Sequence, residues 1–120
     1  MRIRVYYEDT DIGGVVYYAN YLKFCERARS NIFFEKGLSP HGEDEFFVVK
    51  HVEADYKKPA TFADELDVTS KVVKRKNTSL TIFHEIFRGD ELLFTANIVL
   101  VYLKNFKPSK IPEEIYEIFE

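Results

Sequence analysis

Residues 20–36, NYLKFCERARSNIFFEK, decide the fold that this sequence predicts. Apolar side chains recur in this stretch at three- and four-residue spacing, at Tyr21, Phe24, Cys25, Ala28, Ile32, Phe33 and Phe34. That spacing places them on one wide face of an α-helix about 25 Å long. Asn20 is the expected N-cap, and Gly37 lies where the helix is expected to stop. A helix this long, with so broad an apolar face, needs a sheet to pack against.

Strand-like segments flank the helix on both sides and supply that sheet. They are residues 2–7 before the helix, where Ile3, Val5 and Tyr7 share one face, and residues 46–56, 66–73, 80–87 and 92–103 after it. Residues 88–91, RGDE, are the expected hairpin connection, and the acidic tail is expected to end in a short helix or an irregular segment. One strand, one helix and four further strands indicate an α+β fold with a mainly antiparallel sheet wrapped around the helix.

Length and composition restrict the class of protein. The 120 residues, 46% of them hydrophobic, fit a single domain spanning 1–120. A net charge of −3 argues against a general nucleic-acid binder, and one cysteine excludes a disulfide framework or a Cys-rich zinc site. Because no apolar run reaches the ~18 residues of a membrane span and the chain starts in strand-like sequence, we expect a cytoplasmic protein without membrane insertion. The 16% of aromatic residues suit either a core or a subunit interface.

The segment between the first strand and the helix carries the strongest chemical signal. Residues 7–21 read YEDTDIGGVVYYANY, with acidic residues and two glycines just ahead of the helix. A helix start offers unpaired N–H groups and a partial positive charge, which can polarise a carbonyl while a nearby carboxylate attacks it or activates water. The alternative is an acidic turn that only caps the helix. Composition leaves both interpretations open.

The residues themselves resemble a known family. Residues 5–21 together with FCERAR at 24–29 closely resemble the 4-hydroxybenzoyl-CoA thioesterase family, nearest to its YbgC-type branch of acyl-CoA thioesterases. The resemblance continues through ADYKKPA at 54–60 and extends to the Ile-Pro pair at 111–112, so it spans nearly the whole chain. It implies the hotdog fold, a long central helix wrapped by a curled, mainly antiparallel sheet. It also implies a homo-oligomer, a dimer or tetramer, with active sites at the subunit interface.

The resemblance also implies site residues. The family's catalytic carboxylate matches Asp11, as nucleophile or as general base, and its carbonyl-polarising donor matches the backbone N–H of Tyr18. Many YbgC-type members have histidine at the position of Tyr18, and members nearer the hydroxybenzoyl enzyme have tyrosine. The resemblance therefore carries over the backbone donor, which any side chain allows, and not the role of an imidazole. Expected substrate contacts in the same segment are Gly14, Val15 and Tyr17. No metal or other cofactor is expected.

A CoA substrate also needs a site for its phosphates. Lys74, Arg75 and Lys76 precede Ser79 at a strand connection and form the densest basic cluster of the chain. Related enzymes use a basic stretch in this region, so Arg75, Lys76 and Ser79 are the expected contacts. The alternative is a solvated basic loop.

Other reactive side chains are given structural roles. Asp9 is expected to cap or turn the chain, His84 to be a satisfied core or interface histidine, and Cys25 to be a small buried hydrophobe. Glu26, with Arg27 and Arg29, is expected to form ion pairs or to pack at an interface rather than to act in the site.

Taken together, the residues and the resemblance predict an acyl-CoA thioesterase that hydrolyses a CoA thioester to a free carboxylic acid and CoA. One alternative is a hotdog module that binds acyl-CoA or an acyl-carrier partner without hydrolysing it. A hydratase on the same fold is a weaker alternative, because the histidine-containing motif of such hydratases is absent.

Overall fold

The predicted long helix is α1, Asn20–Glu35, in the computed structural model, which describes residues 1–120. Gly37 follows it with φ of +71°, a conformation that favours glycine and ends the helix as expected. The N-cap, however, is Ala19, so the expectation for Asn20 was wrong. The side-chain amide of Asn20 is buried and donates to the carbonyl of Asp9 at 3.0 Å, which ties the helix start to the preceding loop.

All five predicted strands are present and form one antiparallel sheet in the order β1-β3-β4-β5-β2. Their bounds are β1 Arg2–Arg4, β2 Glu45–Tyr56, β3 Glu65–Arg75, β4 Ser79–Arg88 and β5 Glu91–Lys104, with a short β6, Lys107–Pro108, paired to β5. The predicted hairpin at 88–91 is confirmed, and Gly89 takes φ of +60° in its two-residue turn. The acidic tail ends in a short helix, α2, Glu113–Ile118.

The first strand is shorter than its apolar pattern predicts. It ends at Arg4, and Tyr7, expected on the buried face, is 84% exposed at the start of a 3-10 turn. The cause is local, because the Asp9 carboxylate accepts a hydrogen bond from the backbone N–H of Tyr6 at 2.9 Å. This bond turns the chain out of the sheet and confirms the capping role expected of Asp9.

The core lies between α1 and the inner face of the sheet. Tyr21, Phe24, Cys25 and Ala28 of α1 belong to one buried cluster with the inward-facing residues of β3, β4 and β5. Phe94 of β5, fully buried, stacks on Tyr21 with ring centroids 5.0 Å apart. The predicted α+β fold, a long helix wrapped by an antiparallel sheet, is thereby confirmed. The apolar face is narrower than predicted, because Ile32 is half-buried and Phe34 is 59% exposed.

One edge of the sheet is formed by β2, and the short β1 forms the other. Its pairing with β5 is interrupted by a bulge between Val49 and His51, and Val48 and Val49 are exposed. An exposed edge strand with apolar side chains is a ready surface for pairing with another chain. No helix of the structure has the length and apolar content that a membrane crossing requires.

Candidate active site

The loop between β1 and α1 folds back on itself as a small hairpin. The N–H of Asp11 donates to the carbonyl of Val15 at 2.8 Å, and the N–H of Tyr17 donates to the carbonyl of Asp9 at 2.9 Å. Gly14 makes the turn with φ of +81°, a conformation that strains any residue with a Cβ. The loop therefore presents Asp11 near its tip and brings Tyr17 back to its base.

The carboxylate of Asp11 is exposed and only partly engaged. Its Oδ1 accepts the backbone N–H of Gly13 at 2.8 Å, and Oδ2 has no hydrogen-bond partner within the chain. The first oxygen fixes the direction of the carboxylate, which leaves the second free to meet a substrate or a water molecule. No group of three His, Cys, Asp or Glu side chains is arranged to hold a metal ion.

The backbone N–H of Tyr18 is a free donor at the start of α1. No acceptor within the chain binds it, whereas the carbonyl of Tyr18 accepts the hydroxyl of Tyr56 at 2.7 Å. That bond links the backbone just before α1 to Tyr56 of β2 and so fixes its orientation. Because unpaired N–H groups and the positive end of the helix dipole coincide here, this N–H is suited to polarise a carbonyl oxygen.

A pocket of about 210 Å³ adjoins Tyr18. Its other lining residues are Val16, Tyr21, Tyr56, Lys57, Lys58 and Pro59. Burial raises the pKa of the Tyr56 hydroxyl, so this group stays protonated and remains a donor to the Tyr18 carbonyl. Asp11, Gly14, Val15 and Tyr17 lie outside the pocket on the adjoining loop, so within one chain the carboxylate faces solvent beside the pocket rather than inside it.

The basic cluster of β3 is divided by the alternation of side chains along the strand. Lys76 and Ser79 line a polar pocket of about 550 Å³, together with Lys74. Arg75 points to the other face, where it pairs with Glu113 at 3.1 Å and lies over the ring of Tyr116, 3.5 Å from its centroid. Lys76 also lines a second polar pocket, of about 330 Å³, together with Arg75. The structure therefore brings Lys76 and Ser79 together and leaves Arg75 outside the pocket that they share.

Lys50 and His51 of β2 also line the Lys76 pocket, although no sequence motif singles them out. They reach it because the bulge between Val49 and His51 changes which side chains face outward. Nothing in the local pattern of β2 signals a bulge at that point.

The Arg29 and His84 side chains meet under the helix. An arginine can only donate, so the 3.1 Å contact between its Nη1 and the Nε2 of His84 requires a neutral histidine that carries its proton on Nδ1. That proton faces the carbonyl of Thr69 and the hydroxyl of Ser70, both at 3.1 Å. His84 is fully buried, which confirms the expected structural histidine.

The two remaining structural expectations have different outcomes. Cys25 is fully buried, and burial raises the pKa of its thiol to about 12, so it is an inert hydrophobe as expected. Glu26 forms no ion pair within the chain, because its Oε1 instead accepts the hydroxyl of Ser30 at 2.9 Å.

We predict that His84 makes the stability of the protein depend on pH. Burial lowers its pKa from 6.5 to about 4, with the charge of Arg29 acting in the same direction. Between these two pKa values His84 is protonated in the unfolded chain and neutral in the folded chain. The contribution of His84 to stability is therefore complete above about pH 6.5 and falls as the pH decreases towards 4. Urea unfolding at pH 7 and pH 5 should show a loss of about 2 kcal/mol.

A His84→Gln variant is the control for this prediction. Glutamine carries no charge at either pH, so the variant should lose markedly less stability between pH 7 and pH 5 than the wild type does. All other ionisable side chains are the same in both proteins, so their contributions cancel in the comparison. Equal losses in both proteins would show that His84 is not the group responsible.

Comparison with known proteins agrees with this geometry. A helix wrapped by a curled antiparallel sheet, with a glycine-containing acidic loop ahead of the helix, defines a hotdog-fold protein. The sequence model of the thioesterase superfamily matches residues 13–95, and the chain belongs to that superfamily.

Individual relatives give the same result. An acyl-CoA thioesterase YbgC of Helicobacter pylori is 45% identical over 87 residues, which are 72% of this chain and 65% of that protein. An acyl-CoA thioester hydrolase YbgC of Escherichia coli is 35% identical over 124 residues, 98% of this chain and 92% of that protein. The crystal structure of a probable thioesterase from Bartonella henselae superposes with a TM-score of 0.87 at 32% identity, covering 93% of this chain and 97% of that one.

Proposed function

We propose that residues 1–120 act as a single hotdog domain that hydrolyses an acyl-CoA thioester to a carboxylic acid and CoA, as a cytoplasmic homo-oligomer. The relatives named acyl-CoA thioesterase YbgC support the substrate class. The observation that carries the proposal is the free backbone N–H of Tyr18 at the start of α1, with the half-engaged carboxylate of Asp11 on the adjoining loop.

In the proposed mechanism the thioester carbonyl oxygen accepts the N–H of Tyr18, which stabilises the developing oxyanion. The free Oδ2 of Asp11 then either attacks the carbonyl carbon or takes a proton from an attacking water molecule. In the first route the thiolate of CoA departs, and a mixed anhydride between Asp11 and the acyl group remains. Water hydrolyses this anhydride to the free acid and restores Asp11. In the second route the tetrahedral intermediate expels the thiolate directly. In both, CoA departs as a thiolate and takes up a proton. Gly14, Val15 and Tyr17 shape the loop that faces the substrate.

A second copy of the chain completes the site in this proposal. Asp11 is exposed in the single chain, whereas a thioesterase site needs an environment that excludes bulk water. The exposed edge of β2, with Val48 and Val49 exposed on it, offers the surface for a partner. The assembly is a dimer, which can pair again into a tetramer.

Lys76 and Ser79 are assigned to the phosphates of CoA, with Lys74 beside them. Arg75 is the least favoured of the predicted contacts, because Glu113 already neutralises it. Lys74, Lys76 and Lys50 form no salt bridge within the chain, so the pocket they line carries an uncompensated positive charge. A phosphate would neutralise it.

We predict that Lys76→Ala raises KM for acyl-CoA about fivefold and leaves kcat within twofold, because the lost contact binds ground state and transition state alike. The effect should shrink at 0.5 M NaCl, since salt screens exposed charges. Lys71→Ala, on β3 but outside the pocket, is the matched control and should change neither constant. An unchanged KM for Lys76→Ala at low salt would remove Lys76 from the site.

Thiol release from a panel of acyl-CoAs, from short aliphatic to aromatic, tests the proposed activity. Saturable hydrolysis of at least one member supports the enzyme, and the profile over the panel names the acyl class. If the folded oligomer binds acyl-CoA and releases no thiol from any member, the proposal fails. The alternative, a module that binds acyl-CoA or an acyl-carrier partner, would then hold.

A further inference from the structure

A third pocket lies apart from the pocket beside Tyr18 and is larger than it. It has a volume of about 390 Å³, within the range of small-molecule sites, and lies between α1 and the β2 edge of the sheet. Its walls include Phe33, Phe46, Phe47 and Leu100. None of the residues proposed for catalysis or for CoA binding lines it, and Val49 of the proposed partner surface lies at its rim.

The inner polar group of this pocket is the guanidinium of Arg29. It is half-buried, burial lowers its pKa, and it belongs to no ion pair. Its one hydrogen-bond partner within the chain is His84, which is neutral in this contact and cannot balance the charge. The buried bonds of His84 to β3 hold the guanidinium in place, so the pocket has a fixed cation next to apolar walls.

We propose that this pocket binds an ionised carboxylic acid with an apolar body, the carboxylate on Arg29 and the body among Phe33, Phe46 and Phe47. A carboxylate matches the planar donor geometry of a guanidinium, and pairing the two relieves the uncompensated charge. The aromatic walls bury the apolar part of the ligand. A free acid carries both the charge and the apolar body, whereas an acyl thioester carries only the apolar body, and the test below separates the two.

Glu26 opposes such a ligand and thereby provides a second test. It also lines the pocket, one helical turn before Arg29, and its carboxylate is held by Ser30. A bound carboxylate therefore meets the repulsion of Glu26 as well as the attraction of Arg29. The two residues should act on affinity in opposite directions.

The experiment is calorimetric titration of the full chain with octanoate, octan-1-ol and octanoyl-CoA. The wild type should bind octanoate saturably. Arg29→Gln should weaken octanoate binding at least tenfold and leave octanol binding unchanged, because only the acid carries the charge. Glu26→Gln should strengthen octanoate binding about threefold. Asp11→Asn should bind octanoate as the wild type does, which keeps this result independent of the proposed hydrolysis.

Several outcomes would overturn the inference. Octanoate affinity within twofold of the wild type in Arg29→Gln would show that the cation does not bind the ligand. If the wild type does not bind octanoate saturably, the inference also fails, even where the cause is a second copy of the chain that closes the pocket. The inference fails as well if octanoyl-CoA binds tightly and displaces octanoate from the wild type and from Arg29→Gln alike. The acid would then lie in the proposed active site rather than in this pocket. If Arg29→Gln unfolds, Glu26→Gln decides alone, and weaker or unchanged binding contradicts the proposal.

Discussion

Asp11→Asn is expected to lower kcat for acyl-CoA hydrolysis by about three orders of magnitude, with KM changed little. An amide neither attacks a thioester nor takes a proton from water. The fold should survive, because Asp11 is exposed and its Oδ1 only accepts the N–H of Gly13. The Oδ1 of asparagine can accept the same bond. The measurement is thiol release by wild type and variant side by side, together with the unfolding free energy of both.

Glu8→Gln is the matched control. Glu8 is exposed in the same acidic segment and has no side-chain hydrogen bond, so the substitution removes an equal charge without touching the proposed chemistry. It should keep turnover within about twofold. If folded Asp11→Asn keeps more than a tenth of the wild-type kcat, Asp11 is neither nucleophile nor base, and the proposed mechanism is wrong.

Periodicity was enough to predict the helix and the strands, because burial selects the residues that produce it. The apolar spacing of residues 20–36 follows from one helix face packed on a sheet, and the alternation of β4 follows from one sheet face packed on that helix. The errors occurred where side chains bind the backbone. Asp9 ends the first strand early, and the carbonyl of Asp9 draws the amide of Asn20 away from capping. Such local bonds override propensity without changing the apolar pattern.

The site could be predicted only in part, for two different reasons. The separation of Arg75 from Lys74 follows from strand alternation, so a stricter application of the two-residue period to β3 would have found it. The presence of Lys50 in the same pocket depends on a bulge and on the pairing of β2 with β5, which bring distant parts of the chain together. The contact of Arg29 with His84 likewise joins residues 55 positions apart. No rule based on the spacing of residues along the sequence connects positions that far apart.

Tyr18→Pro tests the other half of the mechanism, because proline is the one residue without a backbone N–H. Loss of an oxyanion donor should lower kcat by about 10²- to 10³-fold. The substitution breaks no hydrogen bond of the folded chain, since the Tyr18 N–H has no acceptor there and its carbonyl remains for Tyr56. Proline is also tolerated ahead of a helix, so thermal unfolding should show a folded protein.

Tyr18→Ala separates the donor from the ring, because alanine keeps the N–H and removes the exposed phenol. The Ala variant should lose less than tenfold in kcat, and the gap between it and Tyr18→Pro measures the backbone donor. Equal losses in both would assign the effect to the phenol ring instead.

A measurement on the wild type makes the test independent of proline's effect on the loop. A non-hydrolysable thioether analogue that retains a carbonyl should shift the amide proton of Tyr18 downfield on binding, as a new hydrogen bond requires, whereas an unmoved resonance in the saturated complex would show that this N–H does not hold the substrate carbonyl.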